Sequence, residues 1–233
     1  MNLLALAIAP GMAICIFIYL KDKYNREPLL LLLISFILGM LSTIPALFLQ
    51  VLNDTTLESL AGKPYAEVAI FAYLVVALSE EGSKFLAVRI FAYRRKAFDE
   101  PFDGIVYSIM VGMGFATLEN IGYVYEHGPG TGIMRMFLSV PAHATFAVLM
   151  GYFMGLAKFD TTHKGKYLFL AILLPVIFHG TYDYFLFIGN TVLNLAGSII
   201  SLIVAIQLSK KAIQKHQALS KATHGANNNH SLL

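Results

Sequence analysis

The stretch ALSEEGSKFLAV, residues 77–88, sets two adjacent carboxylates, Glu80 and Glu81, and a lysine, Lys84, into an otherwise apolar run. On a helix Lys84 lies four residues from Glu80 and three from Glu81, so it can pair with either. The two glutamates point about 100° apart. One carboxylate can therefore be neutralised while the other is left to act as a general base or acid on a water molecule. Glu119, His143, His179 and Asp183 also fall within apolar runs. His179 and Asp183 are four apart, a spacing that lets a carboxylate orient an imidazole or lets both face one site. Two imidazoles and a carboxylate can also ligate zinc.

These groups stand in a chain of 233 residues that is 57% hydrophobic and only 13% charged. Soluble domains carry about 25% charged residues, and the mean hydropathy here is +0.67. The composition is that of an integral membrane protein. The net charge of +3 gives no reason to expect a nucleic-acid partner. Cys15 is the only cysteine, which excludes an intramolecular disulfide and a cysteine metal cluster. On span 1 with no neighbouring base, it reads as a small core residue.

A helical span needs about 20 mostly apolar residues. Seven such runs are read, at residues 2–20, 29–52, 66–91, 104–124, 134–157, 167–187 and 190–208. The predicted fold is an all-α polytopic transmembrane helix bundle forming one domain over residues 1–208. Residues 209–233 are polar and predicted to be a disordered cytoplasmic tail. The first run has no preceding basic residue, and Lys21, Lys23 and Arg26 follow it, the reverse of a secretory signal. With the N-terminus outside, the inside connections also hold Arg89, Arg94, Arg95, Lys96, Lys158, Lys164, Lys166, Lys210, Lys211, Lys215 and Lys221. The outside ones hold only Lys63 and Arg135. The positive-inside rule thus places the N-terminus outside and the C-terminus inside.

An ionised side chain at the centre of a span costs about 2.5–3.5 kcal/mol. Keeping Glu80, Glu81, Lys84, Glu119, His143, His179 and Asp183 in four spans could cost ~10 kcal/mol even with partial pairing. Their depths overlap, so they are expected to converge around a hydrated cavity open toward the outside. Other chemistries fit less well. No GxSG motif sits in a span. The Tyr182–Asp183 pair lacks the GxGD partner of aspartyl intramembrane proteases, because Asp99 and Asp103 fall in the basic inside loop. HExxH is absent. Gly151 and Gly155, like Gly112 and Gly114, read as close helix packing.

Several segments together resemble the PrsW family of intramembrane proteases. EEGSK is similar to its EExxK motif. Residues 99–124, DEPFDGIVYSIMVGMGFATLENIGYV, resemble its most characteristic stretch, with FxxxE at Phe115 and Glu119 and the adjoining Asn120. PAHATF around His143, HGTYD at His179–Asp183 and the early KDKYNREP are also similar to that family. The resemblance runs from about residue 10 to 190. It implies a multi-pass protease of the bacterial cytoplasmic membrane that cuts membrane-anchored proteins, anti-sigma factors being the known kind of target. The wider group of CAAX prenyl proteases and bacteriocin-processing enzymes has EExxxR, FxxxH and HxxxN at the corresponding motifs. There a glutamate and a histidine activate water and the last motif helps hold the oxyanion. Glu119 stands where that group has a histidine, so His143 or His179 must supply the imidazole.

The resulting expectation is peptide-bond hydrolysis by glutamate- and histidine-activated water. Its residues are Glu80, Glu81, Glu119, His143, His179 and Asp183, with Lys84 and Asn120 as structural partners and Glu80 favoured as the base. This version needs no cofactor. A zinc-dependent version would use His143, His179, Glu80 and Glu119. Outside proteolysis, the same groups could build the relay of a proton-coupled transporter, although the chain is short and lacks inverted repeats. A non-catalytic descendant acting as a membrane-binding or immunity protein is the third class.

Overall fold

The computed structural model describes residues 2–53, 62–189 and 191–224. Its helices are α1 (Leu3–Lys21), α2 (Leu29–Leu41), α3 (Thr43–Leu52), α4 (Tyr65–Ile70), α5 (Leu78–Ile90), α6 (Pro101–His127), α7 (Pro129–Phe137), α8 (Ser139–Phe159), α9 (Lys164–Phe187) and α10 (Val192–His224). A π-helical segment, Phe71–Ala77, joins α4 to α5, and a short 3-10 turn follows at Ala92–Arg94. There is no strand among the described residues, and the all-α bundle expected from the sequence is what the chain forms.

Local chemistry sets the ends of these helices. Asn2 caps α1 by accepting from the Leu4 and Ala5 amides. Pro28 and Pro64 precede α2 and α4, and Pro101 opens α6, where its missing N–H costs nothing. Gly128, at φ 82°, ends α6, and Pro129 starts α7 immediately afterwards.

Among the described residues six stretches are long and apolar enough to cross a membrane: Leu3–Lys21, Leu29–Leu52, Pro101–His127, Pro129–Phe159, Lys164–Phe187 and Asn194–His224. The seventh expected span is the continuous rod from Tyr65 to Ile90, which carries Glu67, Glu80, Glu81, Lys84 and Arg89. Two of the expected spans are interrupted. The run 29–52 breaks at Ser42, and the run 134–157 is divided at Leu138 between α7 and α8.

Helix α6 is the central post. Its most apolar 18-residue stretch is 89% buried, against 28% for that of α1. A helix that is apolar on every side belongs inside a bundle. Ile105, Val106, Met110 and Met113 of α6 pack with Met150 and Met154 of α8 and Ile18 of α1 in one core. Close approach of α6 and α8 depends on small residues. A Cβ on Gly151 would collide with the Gly104 carbonyl, and one on Gly155 with that of Pro101. The packing role expected of this glycine pair is therefore the one it plays.

The expected disorder of the tail is corrected over residues 209–224. α10 runs on to His224 and buries Ser209, Ala212, His216 and Ser220, while Gln217 Nε2 donates to the Lys21 carbonyl at 2.7 Å. Its polar residues are the exposed side of a packed helix, which composition alone does not separate from a solvated tail. Residues 225–233 lie outside the described residues. At 1.5 Å per residue, α10 is about 50 Å long, well beyond a hydrocarbon core of about 30 Å. The basic connections gather at one end of the bundle. Lys158 Nζ donates there to the Tyr93 and Arg95 carbonyls, and His224 meets Glu100.

A buried acid and imidazole cluster

Glu80 and Glu81 lie in the first turn of α5, directly after the π-helical segment. Such segments recur at functional sites because the extra residue re-aims the side chains that follow. This one also brings α9 close. The Tyr73 hydroxyl is 2.7 Å from Thr181 Oγ1, and the Tyr73 ring lies where a Cβ of Gly180 would be. That approach sets His179 against α5.

Lys84, one helical turn on, donates to Glu81 Oε1 at 2.8 Å and to Glu80 Oε2 at 3.3 Å. Its ammonium also stands 3.2 Å from His143 Nδ1 and 4.0 Å from the centre of the Phe115 ring. Since an ammonium only donates, His143 Nδ1 accepts and its proton sits on Nε2. That Nε2–H donates to Glu119 Oε2 at 2.9 Å. His179 reaches Glu81 Oε1 through Nδ1 at 2.8 Å and Asp183 Oδ2 through Nε2 at 3.1 Å. The four-residue spacing of His179 and Asp183 thus gives the orienting pair that was expected. The two imidazole rings are 5.2 Å apart and perpendicular, and Phe146 stacks on His179 at 4.9 Å.

All six predicted site residues therefore converge with Lys84, from α5, α6, α8 and α9. Glu80, Glu81, Lys84, His143 and His179 are buried, while the Glu119 side chain keeps 19% of its surface and that of Asp183 12%. The side of the cluster bearing Glu119 and Asp183 is the more open one. The polar groups touch one another directly, so mutual hydrogen bonding offsets much of their desolvation.

Two residues escaped the sequence reading. Arg135, read as a charge in an outer connection, sits on α7 and reaches inward. Its Nη2 is 2.9 Å from Glu119 Oε2 and its Nε donates to Asn120 Oδ1 at 3.0 Å. Asn120 in turn donates to the Ala7 carbonyl of α1, which gives the expected structural partner a concrete task. Gln50 of α3 donates to Glu80 Oε1 at 3.3 Å. A lone Gln near a helix end leaves no signal in a sequence. Arg135 does leave one, since it is one of only two basic residues assigned to the sparsely charged side.

Glu80, Glu81, His143 and His179 each place a ligand-type atom within 4.8 Å of the other three. Two imidazoles and two carboxylates suit zinc, and Glu81 Oε2 is buried with no hydrogen-bond partner. This donor set fits a metal ion. It differs from the set expected from the sequence, because Glu81 takes the place of Glu119, which is held one step out by His143 and Arg135.

A family model described as PrsW family intramembrane metalloprotease matches residues 27–208. The protein named Protease PrsW of Geobacillus kaustophilus is 43% identical over 185 residues, covering 79% of this chain and 80% of that protein. Proteins of the same name from Oceanobacillus iheyensis and Bacillus subtilis are 36% and 37% identical, the former over 91% of this chain and 96% of its own length. No solved structure matches. Those relatives are bacterial, and the matched span contains every helix that contributes to the buried cluster. The chain belongs to the PrsW family of intramembrane proteases and is a multi-pass bacterial membrane protein.

Proposed function

We propose that this protein hydrolyses peptide bonds of membrane-anchored proteins, within or just outside the bilayer, with a glutamate activating the attacking water. Regulators of the anti-sigma type are the substrate class that the family resemblance suggests. The convergence of Glu80, Glu81, Glu119, His143, His179 and Asp183 at one buried site carries the reading.

Glu80 is the base in this reading. Glu81 is tied by two 2.8 Å contacts, to Lys84 and His179, whereas Glu80 is held more loosely, at 3.3 Å from Lys84 and Gln50 and 3.9 Å from His179 Nε2. Glu80 takes a proton from water as the water oxygen bonds to the scissile carbonyl carbon. It returns that proton to the amide nitrogen as the C–N bond breaks. Both nitrogens of each ring are engaged in the resting arrangement, so His179, by releasing Asp183, or His143, by releasing Glu119, turns its Nε2–H to the developing oxyanion. Such a donor contributes about 2.7–4 kcal/mol. Lys84 holds Glu81 ionised and in place. Where a divalent metal is bound, His143, His179, Glu80 and Glu81 hold it, and it supplies Lewis-acid polarisation of the carbonyl.

The test is cleavage of a single-span membrane substrate by reconstituted protein. Glu80→Gln, Glu81→Gln, His143→Ala and His179→Ala are each expected to lower turnover by at least about 10²-fold. Wild-type turnover in all four would end the proposal, and proton flux in proteoliposomes without cleavage would favour a transporter. Activity that survives chelation, in protein free of metal by elemental analysis, would remove the metal version. Loss on chelation with recovery on adding zinc would establish it.

A further inference from the structure

A second group of carboxylates lies at the basic end of the bundle. Asp22, in the connection after α1, and Glu100 and Asp103, at the start of α6, each place an oxygen within 4.8 Å of the other two. All three are buried, at 1%, 2% and 0% exposure. Glu27, at 3%, lies beside them, with its amide donating to Asp22 Oδ2 at 3.1 Å and its carboxylate accepting from the Tyr107 hydroxyl. From Asp103 to Glu119 is 16 residues of one helix, about 24 Å, so this group and the cluster around Glu81 occupy different ends of α6.

The protein supplies only part of what these anions need. Asp103 Oδ2 accepts from the Asp99 and Glu100 amides at 2.8 Å, a capping arrangement at the positive end of the α6 dipole. His224 Nε2 is 3.2 Å from Glu100 Oε2. Lys158 and Arg26 act on these carboxylates only through space, without an ion pair to them. Lys158 donates to two backbone carbonyls, and Arg26 lies over the Tyr19 ring at 5.3 Å. The Asp103 and Glu27 carboxyls meet each other, and beyond that acid pair Asp22 Oδ1 and Asp103 Oδ1 stay buried with no hydrogen-bond partner. Several buried carboxylates without matching donors are costly unless a counter-charge joins them.

We propose that Asp22, Glu100 and Asp103 form a binding site for a hard divalent cation of the magnesium, manganese or calcium class. The three residues offer only carboxylate oxygens, which such ions prefer, and the imidazole at the edge of the group, His224, is turned to Glu100 Oε2. The ion joins the connection after α1 to the first turn of the central helix. It clamps the basic end of the bundle, where the end of α10 also arrives through His224.

Terbium(III), which accepts excitation from nearby tyrosines, is a direct probe. The chain has no tryptophan, and Tyr107 stands at the cluster through its contact with Glu27. In the full chain in detergent micelles, tyrosine excitation is expected to give saturable terbium luminescence that magnesium, manganese or calcium displaces. Asp22→Asn and Glu100→Gln should each weaken binding roughly tenfold or more, as expected on removing one ligand charge. Tyr107→Phe should dim the signal while leaving affinity intact. Glu81→Gln should leave both unchanged. Because Glu100 and Asp103 together form the capping box of α6, Asp22→Asn is the deciding variant, read alongside a helical circular-dichroism spectrum that must stay native. No saturable luminescence overturns the proposal. So does binding that persists unchanged in Asp22→Asn and Glu100→Gln, or that disappears in Glu81→Gln. In either of those cases the ion lies elsewhere, or the buried acids are compensated by protons.

Discussion

Lys84 is a cation set among the acids and imidazoles of the cluster. Its ammonium touches Glu80, Glu81 and His143 and lies against Phe115. Removing one partner of a buried ion pair leaves charge uncompensated and typically costs 3–5 kcal/mol. Lys84→Met is therefore expected to lower the thermal stability of the purified protein by about 3 kcal/mol or more and to abolish cleavage. A variant as stable as wild type would show that the glutamates do not depend on this lysine. Arg135 poses a sharper question of chemistry. Its guanidinium serves Glu119 with one nitrogen and Asn120 with another, a fork that an ammonium cannot copy. Arg135→Lys should then reduce cleavage nearly as much as Arg135→Ala. Recovery of full turnover by lysine would mean that charge alone matters at this position.

Between elements, the distances of the cluster depend on how closely helices approach. Gly180 lets α9 sit against Tyr73 of the π-helical segment, next to His179. Gly180→Val leaves every polar group of the cluster in the chain, yet it must push α9 away. Misplacement of about 1 Å costs on the order of 10² in rate, and a loss of that size is the expected result, with the helical content retained. Unaltered cleavage would show that the approach of α9 is not what positions His179. Gly151→Leu acts on a different contact, between α6 and α8, and should cost stability first, because backbone meets backbone there.

At the scale of the whole molecule, α10 ties the two ends of the chain together. Its last turns bury Ala212, His216 and Ser220 and reach Lys21 and Glu100. Ending the chain at Leu208 should lower the melting temperature of the detergent-solubilised protein by several degrees. An unchanged midpoint would return residues 209–224 to the status of a tail. The clustering of basic residues at one end also predicts orientation. Lys96→Cys should label with an impermeant thiol reagent only from the cytoplasmic face, and Gly62→Cys only from the other, against a background in which Cys15 is buried. The opposite labelling pattern would invert the topology.

Much of this protein could be read from its sequence, because the bilayer enforces simple rules. Apolar runs of about 20 residues must be helices, since no water is present to satisfy an open backbone. Charges inside those runs are too costly to be incidental, so EEGSK, Glu119, His143 and HGTYD were visible as a site. Tertiary structure decided what spacing along one helix cannot express. It chose which glutamate Lys84 holds more closely, drew Arg135 and Gln50 inward from other helices, and put Glu81 rather than Glu119 beside both histidines. It also folded the polar residues 209–224 against the bundle and buried Asp22 with Asp103 at the start of α6. Each of these depends on contacts between residues far apart in the chain. Such contacts are set by helix approach and by the need to partner buried charge, and a local pattern of residue types carries neither.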